Sequence, residues 1–124
     1  LRWALEEARL RDAELELVHA YADPPLAAYP TLVVPVVSPE ELREAAERVA
    51  RDALDAAGGA DDVPVTIVCE VGGPSAVLVD HAEGADLVVT GSRGRGGFRG
   101  LLLGSVSQQV AAHAPCPTVV VGAR

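Results

Sequence analysis

The chain has 124 residues, 49% of them hydrophobic, and carries a formal charge of −8. That length fits a single domain, residues 1–124, with a core of its own. The acid excess argues against nucleic acid or an anionic membrane surface as a partner.

All ten basic side chains are arginines, and Arg93, Arg95 and Arg99 crowd into one short stretch. No apolar run has the length of a bilayer span and the start does not resemble a signal peptide, which leads us to expect a soluble cytoplasmic protein with no membrane partner. Cys69 and Cys116 have no metal-ligand spacing and are expected as reduced, buried thiols. The absence of lysine beside abundant Ala, Arg and Gly suggests a bacterial genome rich in G and C. No methionine is present, so residues ahead of Leu1 are expected in the native polypeptide.

In chain order, Leu1 to Arg11 has helical spacing, with Leu1, Ala4, Leu5 and Ala8 on one face. Glu14 to Ala20 alternates and then turns apolar, which predicts a strand ending near His19 and Ala20. Tyr21 to Ser38 holds four prolines and no period and is expected as a long loop, with 31–37 as lid, partner surface or structural filler. Ser38, Pro39 and Glu41 predict a capped helix start. Its buried stripe is expected to be Leu42, Ala45, Ala46, Val49, Ala53, Leu54 and Ala57, with Gly58 and Gly59 as the stop.

Val63 to Val71 predicts a buried strand, Pro74 to Glu83 a short helix, and Ala85 to Thr90 another strand. A helix over Ser105 to His113 and a strand over Thr118 to Val121 complete the chain. Strict alternation of helix and strand predicts an α/β fold, with a mainly parallel sheet covered by helices on both faces. Ligands of such sheets bind at the carboxyl ends of strands. His19 and Thr90 lie at such ends; His19 is expected to be structural, His81 solvated, and His113 favoured by its helix C-terminus.

Between Thr90 and Ser105 lies a glycine-dense loop, the arrangement that lets an anion approach main-chain amides at a helix start. Two phosphate fingerprints fail here. A Walker loop needs a lysine this chain does not have, and GxGxxG read from Gly94 and Gly96 meets Arg99 where the third glycine belongs. What remains is Gly91, Gly94 and then Gly104-Ser105.

This spacing resembles the nucleotide-binding motif of the universal stress protein family, in its ATP-binding branch. Leu17 to Tyr21, Val71 to Pro74 and Ala112 to Val121 also look like that family, so the resemblance covers the whole chain. It implies an open parallel five-stranded sheet whose first, central strand is missing here, together with the acidic residue at its end that holds the ribose. It implies ATP, with Mg²⁺, as cofactor, held by Ala20 at the adenine and by Gly91, Ser92, Arg93, Gly94, Gly104, Ser105, Val106 and Ser107 at the phosphates.

The edge strand Thr118 to Val121 is expected to pair with a second copy as a homodimer. The function expected is nucleotide-dependent stress response or signalling through conformation or partner binding. The alternative is an interaction module that dimerises and keeps the glycine loop as a vestige. Without a lysine or an evident base, at most slow ATP hydrolysis is expected.

Overall fold

The computed structural model describes residues 1–22, 37–92 and 103–122. The expectation for 31–37 as a lid or partner surface lies, save its last residue, outside them.

Among the described residues four helices alternate with four strands: α1 (Arg2–Arg11), β1 (Leu15–Tyr21), α2 (Pro39–Ala56), β2 (Val65–Val71), α3 (Pro74–His81), β3 (Val88–Gly91), α4 (Ser105–His113) and β4 (Thr118–Val121). Both strand pairings are parallel: β1 with β2, Leu15 opposite Val65, and β3 with β4, Val88 opposite Thr118. Parallel neighbours need a crossover, and α2 supplies it for the first pair and α4 for the second.

The strands form two separate two-stranded sheets, β1-β2 and β3-β4. This is the α/β, parallel-strand arrangement expected, without the count of five. Between the pairs runs a trough of about 1180 Å³, lined by Leu15 and Leu17 of β1, Val89 and Thr90 of β3, and Ala4 and Ala8 of α1. The Thr90 hydroxyl oxygen is fully buried and has no hydrogen-bond partner among the described residues.

Period-two alternation sorts the helices between faces. Leu15 and Val65 join Leu5, Ala8 and Val63 in one apolar cluster, with Leu54 and Ala57 of α2 packed against it. The next residue along β1, Glu16, points the other way and meets α3. Thus α1 and α2 lie on one face of the β1-β2 pair and α3 on the opposite face.

Helix α2 owes its start to reciprocal side-chain bonds. The Ser38 hydroxyl accepts from the Glu41 amide at 3.1 Å, and the Glu41 carboxylate accepts from the Ser38 amide at 3.2 Å. It ends in a Schellman arrangement: Gly58 at φ 103° donates to Asp55 O and Gly59 to Leu54 O. The expected stripe needs correction, because Val49 is 45% exposed, Ala53 is exposed as well, and the buried positions are Ala46 and Ala50. Alanines four apart let the helix approach the sheet closely, while the bulkier Val49 is turned toward solvent.

His81 also departs from expectation: its two ring nitrogens lie 2.7 Å from Glu16 and 2.6 Å from Glu70, so β1 and β2 both hold the last turn of α3. The bond to Glu70 raises the imidazole pKa, partial burial opposes it, and Glu16 adds to the rise. A protonated ring satisfies both carboxylates, whereas a neutral ring can donate to only one.

Two predictions follow the two anchors. Because the folded pKa is raised, the stability supplied by His81 should be complete below its unfolded value near about 6.5 and lost as pH rises through the folded value. Urea denaturation between about pH 5.5 and about pH 9 should therefore show a decline that His81→Gln flattens; identical profiles would remove the clamp. Ser38→Ala should cost about 1 kcal/mol in the same assay, and Glu41→Gln much less, since Gln keeps the acceptor.

Candidate nucleotide site

The carboxyl end of β3 is joined to the start of α4 through one carbonyl. The Ser92 amide donates to Val121 O at 2.8 Å, extending the β3-β4 ladder by one bond. The Ser92 carbonyl then accepts the Gly104 amide at 2.5 Å and the Ser107 hydroxyl at 3.1 Å. Ser107 Oγ also lies 3.0 Å from Gly104 O. Ser107 is 2% and Ser92 9% exposed, so within this knot the bond between the two serines is buried.

Helix α4 begins without a side-chain cap, since its N-cap is Gly104. The first helical bond is made by Gln108 to Gly104 O at 3.0 Å, so the amides of Ser105, Val106 and Ser107 precede the ladder. An uncapped helix start carries donors and a partial positive charge suited to an anion, worth about 0.3 to 2 kcal/mol. Ser105 is exposed at the first helical position, where its hydroxyl can add a donor. Gly104 has φ −77° and ψ 170°, ordinary extended backbone. Glycine is therefore not demanded by the backbone here.

The structure gathers Gly91, Ser92, Gly104, Ser105, Val106 and Ser107 at this junction. Ala20 sits apart, near the end of the other strand pair, opposite Glu70. Arg93 and Gly94, with Arg95 and Arg99, lie outside the described residues. Ser107, read from sequence as a phosphate donor, directs its hydroxyl inward, to the carbonyls of Ser92 and Gly104.

Two groups escaped the sequence reading. Thr90 looks like an ordinary strand former, and only the trough reveals its unpartnered hydroxyl. His81 lies 65 residues from Glu16, a separation no local pattern bridges.

Both cysteines are free, as expected, but half-buried in place of the full burial expected; partial burial pushes the Cys69 thiol pKa up, with Glu47 adding to it. Among the described residues no helix is long and apolar enough to cross a membrane.

Known proteins give this geometry a setting. The profile described as the Universal stress protein family matches residues 1–122. A universal stress protein of Mycobacterium tuberculosis is 40% identical over 120 residues, covering 94% of this chain and 38% of its own length. One of Mycolicibacterium smegmatis is 38% identical over 126 residues, covering 98% of this chain and 40% of its own. The chain thus spans about two fifths of the length of these relatives. A solved universal stress protein in complex with cAMP superimposes with a TM-score of 0.65 at 29% identity, covering 99% of this chain and 84% of that one. A universal stress protein from Lactobacillus plantarum gives a TM-score of 0.69 at 24% identity, covering 96% and 84%, and speaks for the fold alone. The chain belongs to the universal stress protein family.

Proposed function

We propose that this chain binds an adenine nucleotide, ATP with Mg²⁺, at the β3-α4 junction, and serves stress response or signalling through nucleotide-dependent conformation or partner binding. The observation that carries the reading is the start of α4, which has a glycine N-cap without a side-chain cap bond and is tied to the end of β3 through the Ser92 carbonyl. The family member solved with cAMP at 29% identity supports a nucleotide as the anion.

In this reading the phosphates meet the amides of Ser105 and Val106 and the Ser105 hydroxyl, close to Gly91 and Ser92. Arg93 and Gly94 join them on the strength of motif spacing, and the backbone at Ala20 takes the adenine. Mg²⁺ enters with the phosphates: among the described residues no group of three or more His, Cys, Asp or Glu side chains could hold a metal by itself. Turnover, if any, is slow hydrolysis, and the free thiols of Cys69 and Cys116 fit a cytoplasmic setting.

The reading extends to the sheet and to assembly. One extended strand lying in the trough would hydrogen-bond β1 and β3 along their inner edges and merge the two pairs into a five-stranded sheet. It would also bring polar backbone within reach of the Thr90 hydroxyl. The edge strand β4 would pair with a second copy to give a homodimer.

Calorimetric titration with ATP and Mg²⁺ should show saturable binding, and Gly104→Leu should weaken it at least about tenfold by covering the helix start. Because φ and ψ at Gly104 suit any residue, the variant should stay folded; full affinity in a folded Gly104→Leu protein would refute the site. Fusing an apolar, β-branched strand ahead of Leu1 should raise the melting temperature by at least roughly 5 °C, and no rise would count against the strand. Light scattering at micromolar concentration should return twice the monomer mass, and a monomer would rule out pairing through β4.

A further inference from the structure

Ser107 occupies the third position of α4, where a serine hydroxyl often serves its own helix. Here it reaches further, to the carbonyl of Ser92, fifteen residues back and beyond the end of β3. The Ser92 carbonyl offers two lone pairs; the Gly104 amide occupies one and the Ser107 hydroxyl the other. Through the Ser92 amide the same residue is fastened to Val121 of β4. A continuous hydrogen-bonded path therefore runs from β4, across the end of β3, to two separate points on the first turn of α4.

Two points of attachment do what one does not. A single bond from Gly104 leaves the helix free to swing about that bond, whereas a second, one helical turn further on, fixes the direction of the helix axis relative to the strand. The hydroxyl has one proton and both carbonyls within reach, 3.1 and 3.0 Å away. With the residue 2% exposed, that proton is committed inside the protein. Donating it to a bound phosphate would strip the Ser92 carbonyl of a partner in a dry environment, at a cost that offsets the new bond.

We propose that Ser107 is a positioning residue: it binds no ligand atom, but sets the angle at which α4 presents the Ser105 and Val106 amides beside the end of β3. The assignment rests on the nucleotide reading of the junction, and adds that phosphate affinity depends on a buried hydroxyl that never meets the phosphate. Its effect is confined to the phosphate half of a nucleotide. The adenine contact expected at Ala20 belongs to the other strand pair and does not pass through Ser92.

The test compares Ser107→Ala with Val110→Ala, a packing control on the same helix at a position that is 0% exposed and outside the knot. ATP and adenosine are titrated separately by calorimetry. Ser107→Ala should weaken ATP about tenfold and leave adenosine within about twofold. Val110→Ala should lower the melting temperature while keeping the ratio of the two affinities. Unchanged ATP affinity in Ser107→Ala, or equal losses for ATP and adenosine, would overturn the assignment while leaving the nucleotide site intact.

A wild-type protein that binds neither compound would defeat the nucleotide reading separately. In that case hydrogen exchange at the Gly104 amide decides whether the tie exists. Exchange about tenfold faster in Ser107→Ala supports it, and an unchanged rate overturns it.

Discussion

Parallel pairing is the constraint on which this structure depends. Two parallel strands cannot be joined by a tight turn, so each pair forms only if a helix carries the chain back along one face. That requirement fixes the alternation of helix and strand and places loops at the carboxyl ends of the strands. It also explains the apolar faces of α1 and α2, which exist to cover Leu15 and Val65. The site proposed at the end of β3 therefore lies where this topology places a loop, and the glycines there are local refinement.

Within that frame, one carbonyl couples strand to helix. Ser92 is the last residue of the β3-β4 ladder and the anchor for Gly104 and Ser107. The proposed site is thus built on a strand end and a helix start joined by hydrogen bonds, an arrangement that orients the first amides of α4 in advance of any ligand. The His81 cluster performs a comparable service for α3, with charge in place of a hydroxyl.

Much of this could be read from the sequence because the signals were local. The capping box at Ser38 and Glu41, the Gly58-Gly59 stop, the strand Leu15–Tyr21 and the helix Ser105–His113 each announce themselves within a few residues. The strand Val63 to Val71 began two residues early, because Val63 is buried in the apolar cluster without joining the ladder. What escaped depends on partners far along the chain. Period and composition favour Val49 as a core residue, but whether it faces the sheet is decided by how closely Ala46 and Ala50 let α2 approach. Ser107 read as a donor to phosphate because nothing in its neighbours reveals that a carbonyl fifteen residues earlier would claim its proton.

The central claim is that an adenine nucleotide binds where β3 meets α4. The most direct measurement is an amide chemical-shift titration with AMP. The account predicts saturable shifts at Gly91, Ser92, Gly104, Ser105 and Val106, together with Ala20, while the exposed face of α2 stays still. Shifts that fail to saturate, or that saturate on α2 or the outer edge of β2 with the junction silent, would contradict it.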